Sequence, residues 1–265
     1  MLYVKLARMA IAVLVILAAF GVASPTQDAA AANGLIWVSF RGVNLMALSP
    51  DSDAEFDIEL VEGARAIGRL QAALGMLLDA SPFAEAALRS LQERGDIFLV
   101  YDPGYPTKPT VDMLGERLAK FRPNLFDNAN ELTDGIAIPV VVGRYLIKWP
   151  RKMLAAVLAR EVFGYDLQHA DGRRASIAER DARCEAGLYG EKAHQDLGSN
   201  KWSGLMVRFR QELEWRWCAG FKQYIHRRQP AQMALWKQLN PDIPRLLALF
   251  ADYVSAPDYA GARGD

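Results

Sequence analysis

Neither sign of charge is in excess: Lys plus Arg and Asp plus Glu each total 31, for a formal net charge of +0. A protein that neutralises a phosphate backbone carries a basic surplus, so nucleic acid is not expected as a partner. Beyond residue 23 the sequence has no apolar run of about 20 residues, the length a membrane-crossing helix needs. It also lacks a juxtamembrane basic block that would hold it on lipid. The mature domain is therefore expected to be soluble. No G-x-S-x-G elbow, phosphate-binding glycine loop or Cys-x-x-Cys pair occurs. Histidine is scarce, at three residues: His169, His194 and His226. Glu191-Lys192-Ala193-His194 has the Glu-x-x-His spacing of di-iron bundles, but the second such motif is missing, which counts against that chemistry.

What the sequence does carry begins at its start. Lys5 and Arg8 precede an apolar run from Met9 to Ala23, the order of a secretory signal peptide. The expected organisation is a signal over 1–23 cleaved after Ala23, an Ala-rich spacer over 24–33, one domain over 34–255 and a flexible tail over 256–265. An uncleaved N-terminal anchor is the alternative. Either places the domain outside the cytoplasm, in a periplasmic or extracellular setting. There, the isolated pair Cys184 and Cys218 is expected to form a disulfide, with two buried thiols as the alternative.

The patterning implies an α+β fold: a mixed N-terminal part with a small sheet ending in an edge strand, then a helical C-terminal half. Leu35–Phe40 and Ile97–Tyr101 are β-branched and aromatic and read as strands. Apolar residues recur at helical spacing over Phe56–Leu78. Ser81-Pro82 supplies an N-cap and first-turn proline for a helix to about Arg94. Asp102–Asn130 reads as an irregular connection around a short helix near Met113–Phe121. Gly135–Gly143 is a strand that Pro139 assigns to an edge, since proline lacks the ladder donor, and Tyr145–Trp149 would continue it past a bend. Helices follow from Pro150 to His169, Arg174 to Lys192, Trp202 to Arg227, Pro230 to Leu239 and Asp242 to Val254.

On the helix after Pro150, Leu154, Val157, Leu158, Glu161, Val162, Tyr165 and His169 share one stripe. Glu161 is thus a buried carboxylate that needs a partner. Arg160, about 100° away on an α-helix, is not the obvious one, unless the local helix geometry shifts. The segment Arg160-Glu161-Val162-Phe163-Gly164-Tyr165 resembles the H-E-x-x-G-H helix of zincin metallopeptidases of the gluzincin branch, as in dipeptidyl-peptidase III. Arg160 and Tyr165 stand at its two zinc-binding His positions. The resemblance covers about Gly135 to Glu191. It implies a relic general base at Glu161, a third ligand position at Glu185, and an edge strand beside the helix that binds extended peptide through Pro139, Val140 and Val141, with Tyr165 lining the site.

Three functions follow as expectations. The first is a domain without ordinary peptidase activity and without a cofactor, binding a peptide, protein or envelope component. The second is a metallohydrolase holding zinc with Glu161, His169 and Glu185. The third is a structural envelope domain. His194 and His226 are expected at the solvated surface, and the helix around Trp217 is expected to be scaffold.

Overall fold

The computed structural model describes residues 36–111, 114–115, 117–121, 125, 137–166 and 176–259, and only the backbone of Phe121, Tyr165 and Asp166. The segments expected as signal and spacer, and His169, lie outside these residues.

Strand β1 (Ile36–Phe40) turns back into β2 (Val43–Ala47). The turn is made by Arg41 and Gly42, with φ of 51° and 72°. Two successive left-handed residues give the hairpin turn whose twist matches its strands. The strand β2 was not expected, because Arg-Gly carries a weaker hairpin signal than Asn-Gly. Helix α1 spans Gly63–Ala80 and α2 spans Pro82–Gln92. They return the chain to β3 (Asp96–Asp102), parallel to β2. Ser81 caps α2 as its sequence implies, its hydroxyl accepting from the Ala84 amide at 3.1 Å. Helix α1 starts later than its periodicity suggests, since Phe56–Glu62 is irregular and Asp57 is drawn to Arg144.

The sheet is completed by β4 (Ala119–Phe121) and β5 (Ala137–Gly143), in the order β1-β2-β3-β5-β4. Two expectations are corrected here. Ala119–Phe121 is strand where a short helix was expected, and β5 is not the edge. Strand β5 pairs parallel with β3 along its length and antiparallel with β4 over Val140–Val142. Pro139 is tolerated for a local reason. The Gly143 amide donates to Leu118 O on the β4 side, and the two-residue alternation puts the Pro139 nitrogen on that same side. There it lies beyond Phe121, the last β4 partner among the described residues, so none of the described rungs between β5 and its neighbours needs a Pro139 donor.

Leu146–Lys148 is a 3-10 turn rather than continued strand. Helix α3 (Arg151–Leu158) runs on as a π-helix over Ala159–Asp166. Then come α4 (Glu179–Asp196), α5 (Gly204–Glu212), a π segment (Leu213–Trp217), α6 (Ala219–Arg228), a 3-10 segment (Pro230–Lys237) and α7 (Ile243–Val254). The fold is α+β, with its helices concentrated in the C-terminal half. Ile36–Asp265 form one compact unit.

Within that unit there are two apolar clusters. One joins the sheet to α1, α2, α3 and the first π segment through residues such as Leu70, Leu99, Val140 and Phe163. The other joins α4 to the later helices around Trp217, Phe221 and Phe250. The disulfide Cys184–Cys218 ties α4 to the start of α6 inside this second cluster. Among the described residues, no helix is long and apolar enough to cross a membrane.

Candidate functional site

The π-helical turn decides how Glu161 is partnered. In a π-helix bonds run from residue i to i+5, so the backbone turn is wider than in an α-helix and adjacent side chains diverge less. Arg160 therefore reaches its neighbour. Its Nε and Nη2 donate to Glu161 Oε1 at 3.0 and 2.8 Å. The remaining reach of the guanidinium goes to the carbonyl oxygens of Leu114 and Gly115, each at 2.9 Å, in the segment leading to β4. Both side chains are buried. Arg160 does not point away as α-helical spacing implies; the alternative, in which a shift of the local helix geometry lets it pair with Glu161, is the one observed.

Close packing fixes this turn. A Cβ on Gly164 would lie 2.4 Å from Ala186 Cα, so the π segment and α4 meet backbone to backbone. Four residues earlier Arg160 passes Gly190, four residues later on α4, so the two helices run antiparallel. Glu161 and Glu185 accordingly lie on two helices in direct contact, and both are buried. The edge strand β4 also packs against the π segment.

Pro139, Val140 and Val141 are interior to the sheet and buried, so they cannot accept an added strand; the outer edge belongs to β4. The side chain of Tyr165 and all of His169 lie outside the described residues. His226 is exposed, as expected. His194 is not: it is 4% exposed, its Nδ1 is 3.0 Å from Ser199 Oγ, and its ring meets Phe209 edge-on at 5.4 Å. Burial, followed by the positive charges of Lys201 and Arg160, lowers its pKa to about 4. His194 and Arg160 share a cavity of about 20 Å³ with Trp149, Met153, Val157 and Phe209, room for about one water molecule. Glu191 is fully buried and accepts from Lys201 Nζ at 2.7 Å.

Zinc, which the resemblance implies, does not fit this donor set. One ligand position holds a guanidinium, which already supplies a cation to the carboxylate that would activate water. Among the described residues, no three His, Cys, Asp or Glu side chains converge as a metal site. What the arrangement can do is stabilise a buried carboxylate and hold the approach to β4 by two carbonyl contacts.

Periodicity and motif spacing do not reveal a polar centre at Asp181. Asp181, buried at the first turn of α4, accepts from the hydroxyls of Tyr253 (3.1 Å) and Tyr259 (2.9 Å). Tyr259 falls in the segment read as a loose tail. Burial pushes the Tyr253 phenol well above its ordinary value and the Tyr259 phenol up to about 12, Asp181 adding to both, so both remain protonated donors. No protein-family model, curated protein or solved structure matches the chain.

Proposed function

We propose that the chain is an exported, zincin-like domain that has given up metal chemistry and binds an extended peptide segment of an envelope protein along β4. The observation that carries this reading is the buried ion pair of Arg160 and Glu161, closed by the Leu114 and Gly115 carbonyls that lead into β4. Three features support it. The extra residue that distinguishes H-E-x-x-G-H from H-E-x-x-H is absorbed by a π turn, the form in which a helix accommodates an insertion. The edge strand expected beside this helix is supplied by β4, one strand farther out than Pro139 suggested. An edge strand offers unpaired main-chain groups to an added strand. Export is supported by the Lys5/Arg8 and Met9–Ala23 pattern and by the Cys184–Cys218 bond.

Metal analysis of the purified protein tests the loss of the metal site. Zinc should be far below one per chain and unchanged in Glu161→Gln. About one tightly held zinc per chain, lost in that variant, would overturn the reading. Peptide binding is tested separately by amide exchange: extended peptides should slow exchange in β4 and leave β1 unaffected.

A further inference from the structure

A second polar centre lies at the carboxyl ends of the parallel strands β3 and β5. Arg144, the first residue after β5, is 4% exposed. Its amide donates to Tyr105 O at 2.9 Å, and a Cβ on Gly143 would come within 2.6 Å of the same oxygen. The backbone after β3 is thus pressed directly onto the end of β5, which fixes where the Arg144 side chain begins. One guanidinium nitrogen, Nη1, donates to the carbonyls of Gly104 (3.4 Å) and Pro106. The others face a carboxylate and a phenol. Nε donates to Asp57 Oδ1 at 3.0 Å, Nη2 donates to the Tyr145 hydroxyl at 3.3 Å, and that hydroxyl donates to Asp57 Oδ2. The guanidinium also lies 4.7 Å from the centroid of the Tyr145 ring.

Each oxygen of the Asp57 carboxylate is therefore held by a different donor, one guanidinium and one phenol. The Tyr145 hydrogen bond, with Arg144 in support, keeps the Asp57 carboxyl below its usual range. Asp57 belongs to neither strand end. It comes from the irregular, mostly exposed segment 48–62 between β2 and α1. Loops of about 12–15 residues without secondary structure are uncommon in compact domains and are usually functional. Ligands of open parallel sheets bind outside the carboxyl ends of the strands, which is where this centre lies.

We propose that Arg144 and Tyr145 form a carboxylate-binding site, and that Asp57 is its internal occupant, displaced when a ligand carboxylate enters. The buried, backbone-anchored half of the centre is the receptor. The exposed loop supplies only the group that fills it. The ligand chemistry is a single carboxylate, free in a small molecule or at the C-terminus of a peptide. Because Asp57 is tethered, it competes at a high effective concentration, so the ligand is released readily and binding is coupled to freeing of segment 48–62.

The test is hydrogen exchange of the intact wild-type protein at amides 54–62. Succinate, a short peptide with a free C-terminus and the same peptide amidated are each compared with sodium chloride at equal ionic strength. Faster exchange with succinate alone assigns a small free carboxylate, and faster exchange with the free-terminus peptide but not its amide assigns a peptide terminus. Exchange unchanged by every carboxylate overturns the proposal. In Asp57→Ala the same ligand should raise the melting temperature at a concentration at least about tenfold lower than wild type needs. Adding Arg144→Gln should abolish that response. If Asp57→Ala does not fold, Asp57→Asn replaces it, and the wild-type exchange result decides on its own.

Discussion

Arg160 Nη2 lies 2.8 Å from Glu161 Oε1, with side-chain exposures of only 5% and 4%, in adjacent residues that an α-helix would hold apart. A charge buried to this degree is tolerable only while its partner remains. Removing one member of such a pair costs about 3–5 kcal/mol, because the other is left uncompensated.

Arg160→Ala and Glu161→Ala should therefore each destabilise the protein by about 3–5 kcal/mol. Replacing both by apolar residues should cost less than the two singles together. It should not be neutral, since the Leu114 and Gly115 carbonyls lose their donor at about 1–3 kcal/mol for a buried acceptor. Urea denaturation of the four-member cycle measures the coupling. A coupling below about 0.5 kcal/mol would show that the pair does not form.

The π turn depends on the close pass of Gly164 over Ala186. Gly164→Ala would put a methyl group 2.4 Å from a backbone carbon, so the helices must separate, at about 1–3 kcal/mol. Gly68, also helical, meets nothing within 4 Å of an added Cβ. The same substitution there should stabilise by about 0.5–1 kcal/mol through helix propensity alone. Thermal melts of the two variants should move in opposite directions.

How much of this was legible varies with the range of the interaction. Ser81-Pro82 marks the start of α2 because capping is local, and Ile97–Tyr101 marks β3 because β-branched and aromatic residues favour strands wherever they occur together. Pro139 misled, since the cost of a missing donor depends on what faces it, and among the described residues β4 pairs with β5 no farther than Phe121 with Val140. Glu161 was correctly placed inside, and Arg160 was available as its partner only if the helix departed from α geometry: the 100° separation assumes an α-helix, and the wider turn accompanies the Gly164–Ala186 contact across 22 positions of sequence. His194 reads as a surface residue in its own helix and is buried by Phe209 of another. The Asp57–Arg144 contact spans 87 positions and left no local trace.

The disulfide closes a loop with a sequence separation of 34. Loop-closure entropy assigns such a bond about 4 kcal/mol at 25 °C. Both sulfurs are fully buried in the second apolar cluster, next to Leu188 and Trp217. Reduction under native conditions should therefore be slow and follow unfolding, whereas the double Cys→Ser variant should lose about 3–4 kcal/mol, most of it from the unfolded chain. Calorimetry with and without reductant checks both. Rapid reduction of the folded protein by a large thiol would contradict the burial.

His194 gives the fold a pH dependence whose sign is fixed by its surroundings. Its folded pKa of about 4 lies below the ordinary histidine value of 6.5, so the folded state resists protonation that the unfolded chain accepts. Above about pH 6.5 both states hold the ring neutral and there is no penalty. As pH falls from 6.5 towards 4 the unfolded state alone takes up the proton, and stability declines by up to about 3 kcal/mol. Below about 4 the folded state protonates as well and the loss from this group levels off. Lys201 and Arg160 oppose an imidazolium there, while Glu191 and Glu161 are already engaged with those cations. His194→Asn removes the titrating group but keeps a polar partner for Ser199, so its stability should vary less between pH 6.5 and 4 than that of the wild type. Parallel slopes for the two proteins over that interval would mean that carboxylates elsewhere, and not this imidazole, set the acid limit of the fold.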